Sequence, residues 1–139
     1  MLTMTEQYKV AENIAIAAHR DQKYSVYDYF NYHVMGVVKR VHTYEHKIVA
    51  MLHDVVEDSD VTLEDLLEAG IEKRLVEAVA LLTKTDDTVI EDYLAAIKEN
   101  KLALVVKKAD MGFNLENNIK EGNLARFTKY SEQMKILLA

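Results

Sequence analysis

The sequence predicts an all-α protein, a single helical bundle spanning residues 1–139, and three observations predict it. Proline is absent and glycine occurs only four times, so the chain lacks the residues that end helices and build tight turns. Apolar residues recur at three- and four-residue spacing along most of the chain, the period of one helix face. No G-x-G-x-x-G or G-x-x-x-x-G-K run is present, which argues against a dinucleotide-binding or P-loop fold. The length suits one domain.

Thr5 is placed to cap a first helix from Glu6 to about Arg20, with Val10, Ile14, Ala17 and Ala18 as its buried stripe. Asp21 to Asn31 gathers Tyr24, Tyr27, Tyr29 and Phe30 without a helical period and reads as an ordered loop. The aromatic stretch Tyr24 to Tyr32 could cover an active site, line a dimer interface or fill a helix junction. A second helix runs from about Tyr32 to Val41, with Val34, Val37, Val38 and Val41 inward. Its Lys39 and Arg40 sit near the C-terminal end, where the helix dipole favours cations. Thr43 caps a third helix, Tyr44 to about Asp58, and the spread of Ile48, Val49, Leu52, Val55 and Val56 around it marks it as central. After a turn at Ser59 to Val61, Thr62 with Asp65 opens a short helix ending at Gly70. Helices over about Glu72 to Thr83 and Thr88 to Asn100 follow. The next, Leu102 to Asn118, is apolar along Leu104, Val105 and Ala109. Asn123 opens the last, which carries Phe127, Tyr130, Met134 and Leu138. Leu104 to Val106 has strand-forming composition but neither alternation nor a hairpin partner, so helix is preferred.

Charge and composition narrow the function. Seventeen basic against twenty-three acidic residues give a net charge of −6, which disfavours nucleic acids and anionic membranes as partners. The absence of cysteine excludes disulfides, thiolate catalysis and sulfur-ligated zinc, so a metal here must take nitrogen and oxygen ligands. Met1 to Ala18 is interrupted by Glu6, Lys9 and Glu12, which fits neither a signal peptide nor a bilayer span. The cytoplasm is the expected compartment.

Chemistry concentrates where polar residues interrupt apolar helices. His53-Asp54 falls between Ile48, Val49, Met51, Leu52 and Val55, Val56. Burying an imidazole and a carboxylate is costly unless both are satisfied, and one divalent cation satisfies both. Adjacent helical residues diverge by about 100°, so a shared ion would sit off the helix flank. One turn on, Glu57 lies over His53 and Asp58 over Asp54, giving a ledge of one imidazole and three carboxylates. A core histidine followed by a solvated acidic turn is the competing reading, and spacing alone leaves both open. Asp110, with Asn114 one turn later, repeats the anomaly as a metal ligand or a surface acid. His33 is a lone histidine beside Val34, Met35 and Val37. His42 and His46 have the spacing of a zinc clip, but Thr43 breaks the helix between them and no Glu follows His42, so they read as surface polar residues. The basic residues Arg20, Lys23, Lys84, Lys107, Lys108 and Arg126 are scattered and could include a phosphate clamp. No Ser-His-Asp arrangement stands out.

Taken in order, His33, His53-Asp54, Glu57-Asp58-Ser59, Thr62-Leu63-Glu64-Asp65-Leu66, Leu82-Thr83-Lys84, Val106-Lys107-Lys108-Ala109-Asp110 and Asn114-Leu115 resemble the motifs of the His-Asp (HD) domain superfamily. Within it the chain is similar to the hydrolase domain of RelA/SpoT-like enzymes and to small alarmone hydrolases, from about Ala17 to Tyr130. The string LHDVVEDSDVTLEDL with a downstream KxAD carries the resemblance. It implies an HD-type bundle in which His33, His53, Asp54 and Asp110 hold one divalent ion, manganese first, with iron or zinc also compatible. Glu57 and Asp58 would position or activate the attacking water, and Asn114 would lie near the nucleotide. Arg126 and Tyr130 would form a basic-aromatic pair lining the pocket. Arg20, Lys23 and Lys84 join Arg126 as candidates to offset phosphate charge.

The implied activity is metal-dependent hydrolysis of a nucleotide, foremost removal of the 3′-pyrophosphate from guanosine 3′,5′-bis(diphosphate), ppGpp. An HD nucleotidase or phosphodiesterase acting on another nucleotide is one alternative. A non-catalytic nucleotide- or partner-binding helical module is the other. The implied partner is a guanine alarmone, and a homo-oligomer is left open. The sequence departs from the alarmone-hydrolase pattern in three places. Gln22 is followed by Lys23 and Tyr24 rather than a basic pair, and Val34 stands where proline usually follows the first ligand histidine. Met111 and Glu116 replace basic residues after Asp110 and Asn114-Leu115. The expectation is an intact metal centre with a phosphate clamp altered at Tyr24 and Glu116.

Overall fold

Capping chemistry decides where the first helix begins. In a computed structural model describing residues 1–139, α1 (Met4–Ala18) is capped by Thr3, not Thr5. The Thr3 hydroxyl accepts from the Glu6 N–H at 3.1 Å, and the Glu6 carboxylate accepts from the Thr3 N–H at 2.9 Å. This reciprocal box needs an acid or amide three residues after the cap; Thr3 has Glu6 there, whereas Thr5 has Tyr8. The buried face is Gln7, Ala11 and Ala15. Val10, Ile14 and Ala18 only flank it, and Ala17 is exposed. Gln7 can be buried because its amide donates to the Leu2 carbonyl at 3.1 Å and accepts from the Glu72 N–H at 2.9 Å.

The expected loop at 21–31 contains a small hairpin. β1 (Lys23–Tyr24) pairs antiparallel with β2 (Tyr27–Asp28), Lys23 opposite Asp28 and Tyr24 opposite Tyr27. Ser25, at φ 57, supplies the left-handed residue of the turn. The second helix starts earlier and differently than expected: Phe30–Val34 is π-helical and runs into a short α2 (Met35–Val38). It stops before Val41 because the Lys47 ammonium donates to the carbonyls of Val38 and Val41, at 3.1 and 2.8 Å, which takes up the helix end.

α3 (Tyr44–Leu52) begins at the Thr43 cap, as the sequence predicts, but ends before His53, and α4 (Val55–Asp58) is separate. α5 (Leu63–Glu68) carries the Thr62–Asp65 capping box. α6 (Lys73–Leu82) and α7 (Ile90–Lys98) follow, each slightly shorter than the sequence suggests. α8 (Lys101–Glu121) outruns its predicted end because nothing stops it until Gly122, which takes the left-handed conformation at φ 68. α9 (Leu124–Leu138) starts from the Asn123 cap, as predicted.

Two predicted stripes face elsewhere. α8 buries Ala103, Val106, Asp110, Phe113 and Asn117, while Val105 is exposed and Leu104 and Ala109 are half-buried. Asp110 and Asn117 turn inward because they have partners there: Lys107 for the first, and for the second the Tyr32 hydroxyl and the Phe113 carbonyl. On α9 the fully buried residue is Leu137 rather than Leu138, with Phe127, Tyr130 and Met134 half-buried.

α3 is the central element, with Ile48, Val49, Ala50, Met51 and Leu52 fully buried among α1, α2, α6 and α8. α9 packs on α7 and α8. No helix is long and apolar enough to cross a membrane. α2 and α8 approach closely at Gly36, where an added Cβ would lie 2.3 Å from Cε2 of Phe113. The Phe113 ring meets His33 edge-on at 4.9 Å, so it has little room to retreat. Gly36→Ala is therefore expected to lower stability by about 1–3 kcal/mol through overpacking, despite alanine's better helix propensity. Urea unfolding measures this, and a midpoint equal to that of the parent protein would show the contact to be soft.

Candidate metal centre

The helix break between α3 and α4 builds the site. The His53 N–H bonds the Ala50 carbonyl at 3.4 Å in a tightened last turn, and Asp54 sits at φ −111, ψ 0, in the sparsely allowed bridge region. The predicted continuous helix, with His53 and Asp54 splayed and Glu57 and Asp58 stacked over them, is thereby corrected. The break lets both side chains turn to one point, and His53 Nε2 lies 3.0 Å from Asp54 Oδ2. His33 arrives from the π-helical segment, where the wider turn shifts a side chain relative to an α-helix. Its Nε2 is 3.0 Å from Asp110 Oδ1 and 3.7 Å from Asp54 Oδ2. His53 Nε2 is 3.5 Å from the same Asp110 oxygen.

Proton positions show what this cluster requires. His53 Nδ1 lies 2.6 Å from the Ala50 carbonyl, which can only accept, so Nδ1 carries the hydrogen. Nε2 then turns a lone pair toward two carboxylates and has no hydrogen-bond partner, although it is buried. Lone pairs facing lone pairs in a buried site need a proton or a cation between them. Burial alone would lower the His53 pKa, but Asp54 and Asp110 raise it well above the ordinary histidine range. Burial would raise Asp54 and Asp110, yet His53 on the first and Lys107 with the histidines on the second hold both well below the usual carboxyl range. The ligand atoms of His33, His53 and Asp54 lie within 4.8 Å of one another, and Asp110 Oδ1 flanks both imidazoles. Two imidazoles and two carboxylates suit a divalent ion of hard to borderline character, and His53 Nε2 is oriented as a ligand should be, its ring fixed by the bond at Nδ1.

The surrounding side chains hold these groups in place. The Tyr29 hydroxyl donates to Asp54 Oδ2, and burial against Asp54 raises its pKa strongly. Tyr24 stacks on His33 at 5.1 Å and 12° and donates to Asn114 Oδ1 at 2.8 Å. Burial pushes its pKa up to about 12. The buried Lys107 ammonium is 3.2 Å from Asp110 Oδ2 and 5.4 Å above the Tyr93 ring. Burial raises the pKa of Glu57, whose Oε1 accepts from the Lys84 N–H at 2.8 Å. Asp58 Oδ2 accepts from the Gln22 amide at 3.0 Å.

A cleft of about 270 Å³ opens over the cluster. It brings together His33, His53, Asp54, Glu57, Asp58, Lys84, Asp110, Asn114, Arg126 and Tyr130. It does not bring Arg20 or Lys23. Arg20 is exposed in a separate depression with Ile16 and Asp28. Lys23 is exposed because alternate residues of β1 face opposite ways, Tyr24 inward and Lys23 out. Glu116 lies outside the cleft, paired with Arg40 at 2.6 Å, so its negative charge does not alter a phosphate clamp. Met111 does line the cleft. His46 bonds Thr43 and His42 is exposed, as expected of surface residues. Sequence reasoning missed Gln22, Tyr29, Tyr93, Lys129 and Gln133 as cleft residues, and Lys107 as the cation on Asp110. The density of tyrosines after Gln22 was the available signal for the first two. For Lys107 it was the three-residue spacing to Asp110 on one helix.

No family model and no curated protein matches the sequence. Among solved structures the chain is similar to one described as a metazoan orthologue of SpoT that hydrolyses ppGpp and plays a role in starvation responses. The sequences are 22% identical, the TM-score is 0.76, and the match covers 94% of this chain and 85% of that one. The two chains share one fold. It is the helical bundle that the HD resemblance implied.

Two outcomes follow from the site. After dialysis against trace manganese the protein is expected to retain about one ion per chain and to unfold at a higher temperature than when stripped. The gain is worth about 2.7 kcal/mol at a free-ion concentration 100-fold above Kd. Asp54→Ala should lose both effects while keeping its helical circular dichroism, and parent-like metal retention by this variant would overturn the ligand assignment. In the stripped protein, the lowered Asp54 and Asp110 contribute stability present above about pH 4 and lost as the pH falls further. The raised His53 contributes stability present below about pH 6.5 and lost as the pH rises through its folded value. Urea midpoints of the metal-free protein should therefore peak between those limits, and a midpoint still rising at pH 8 would contradict the coupling.

Proposed function

We propose that the protein is an HD-type, metal-dependent phosphohydrolase acting on a nucleotide, with release of the 3′-pyrophosphate of ppGpp as the leading reaction. The observation that carries this reading is the convergence of two imidazoles and two carboxylates on one buried point, where His33 Nε2 and His53 Nε2 both face Asp54 Oδ2 and Asp110 Oδ1. Two further acids, Glu57 and Asp58, stand on the wall of the same cleft. The shared fold with a protein described as hydrolysing ppGpp supports it.

His33, His53, Asp54 and Asp110 are the residues suited to hold the ion, manganese by the resemblance, with iron or zinc also fitting the donors. When bound, such an ion polarises a phosphoryl oxygen and lowers the pKa of water. Glu57 is suited to act as the base, its carboxyl raised by desolvation and held in place by the Lys84 N–H. Its Oε1 is anchored on the Lys84 N–H, leaving Oε2 to take a proton from the nucleophile. Asp58 orients the same water. Lys84 and Arg126, joined by Lys129, face the cleft as the cations for phosphate oxygens. Tyr130 offers an aromatic surface beside them. Asn114, tied by Tyr24 on one side and 3.5 Å from Asp110 on the other, presents a fixed polar wall to the nucleotide.

A second reading keeps the chemistry and changes the nucleotide. Tyr24 occupies the cleft where a basic residue belongs in alarmone hydrolases, while Arg20 and Lys23 lie outside it. Fewer cations favour a substrate with fewer phosphates, such as a nucleoside monophosphate or cyclic nucleotide. The manganese-loaded protein is expected to release pyrophosphate from ppGpp. Glu57→Gln should cut turnover by about 10²- to 10⁴-fold, the range for loss of a general base, with metal content unchanged. No pyrophosphate from ppGpp but phosphate from another nucleotide, with the same Glu57 dependence, would select the second reading. A kcat for Glu57→Gln within twofold of the parent would remove Glu57 from the chemistry.

A further inference from the structure

His19 is fully buried at the C-terminal end of α1, yet its Nε2 has no hydrogen-bond partner. An apolar side chain would fill the same space without burying an unpaired polar atom. What the imidazole adds is a contact at Nδ1, 2.7 Å from Oε1 of Gln22. The other end of that amide, Nε2 of Gln22, donates to Asp58 Oδ2 at 3.0 Å.

The polarity of this chain follows from its far end. An ionised carboxylate can only accept, so the Gln22 group facing Asp58 must be the NH₂. The amide oxygen then faces His19, and His19 Nδ1 must carry the hydrogen. The reversed amide would set oxygen against carboxylate. The main chain holds the middle member from both sides: the Gln22 N–H bonds the His19 carbonyl at 3.0 Å, and the Gln22 carbonyl accepts from the Tyr29 N–H at 3.0 Å. The His19 ring packs on Tyr29 at 4.8 Å, and Tyr29 itself donates to Asp54. The segment from the end of α1 through the hairpin thus supplies one neutral donor to each of two carboxylates four residues apart.

We propose that His19, acting through Gln22, is a positioning residue that fixes the orientation of the Asp58 carboxylate in the cleft. With the Gln22 amide on Oδ2, Asp58 Oδ1 is left free to receive a hydrogen bond from water. This role rests on the phosphohydrolase reading for its effect on turnover; the hydrogen-bonded chain itself does not.

The test has an arm that needs no activity. Nitrogen-15 NMR of the histidine rings is expected to show His19 protonated at Nδ1, with a slowly exchanging N–H. That resonance should shift in Gln22→Leu and in Asp58→Ala. An Nε2-protonated His19, or a resonance indifferent to Asp58→Ala, would overturn the chain whatever the protein hydrolyses. In turnover assays on the manganese-loaded protein, His19→Leu should lower kcat about tenfold with KM and metal content unchanged. His19→Asn, whose amide N–H can stand in for Nδ1–H, should restore most of the loss. The His19→Leu/Gln22→Leu double variant should be no slower than either single variant, because both cut one path. Multiplying losses, failure of asparagine to rescue, or an unchanged kcat in a folded His19→Leu would each refute positioning. If the protein turns over no nucleotide, the phosphohydrolase reading fails, and the proposal is refuted in its effect on turnover while the NMR arm still decides the chain.

Discussion

The site depends on one electrostatic requirement: buried imidazole lone pairs and carboxylate oxygens converge on a small volume and need positive charge there. With its Nδ1 hydrogen committed to the Ala50 carbonyl, neutral His53 turns a lone pair at Nε2 toward Asp54 and Asp110, which only a proton or a cation can satisfy. Asp110 is already half-neutralised by Lys107 on its outer oxygen. Asp54 has a phenol on Oδ2. His53 and Asp110 are thus each held by a partner on the far side, which leaves the near side for a cation.

Meeting that requirement forces two departures from regular helix. The π-helical turn at Phe30–Val34 and the break at His53-Asp54 both forgo regular α-helical hydrogen bonding, and each delivers an imidazole to the cluster. The cost is carried by the packing around them. Five consecutive residues of α3, Ile48 to Leu52, are fully buried immediately before the break, and Val55 is fully buried immediately after it. Gly36 and Phe113 lock the π-helical arm against α8 at van der Waals limits. Irregular backbone is stable here because regular, well-packed helix surrounds it.

The three side chains that residues 22–29 turn into the cleft are neutral. Gln22, Tyr24 and Tyr29 give donors to Asp58, Asn114 and Asp54 without adding charge. Positive charge in the cleft is carried by Lys84, Arg126 and Lys129, from the segment after α6 and from α9, and by Lys107 on α8. Phenols stand beside these cations too, Tyr93 under Lys84 and Lys107 and Tyr130 under Lys129, at 5.4–5.9 Å.

Local chemistry was legible in the sequence wherever it acts within about four residues. The caps Thr43, Thr62 and Asn123 stand where read, because a cap and its partner N–H are neighbours in the chain. The all-helical architecture followed from period and from the lack of proline, and His53-Asp54 and Asp110 stood out as polar residues in apolar helices. Thr5 failed as a cap only because a better box, Thr3 with Glu6, lay two residues away. Tertiary structure alone decided which faces were buried. Gln7 and Asn117 turn inward because distant groups, the Glu72 N–H and the Tyr32 hydroxyl, satisfy them. It likewise decided that the helix breaks at His53, that Lys107 rather than Lys23 serves the site, and that Glu116 leaves it for Arg40. A single chain carries the propensity of each residue, but a buried polar group is stable only beside its partner, and the partner's position exists only once the helices have packed.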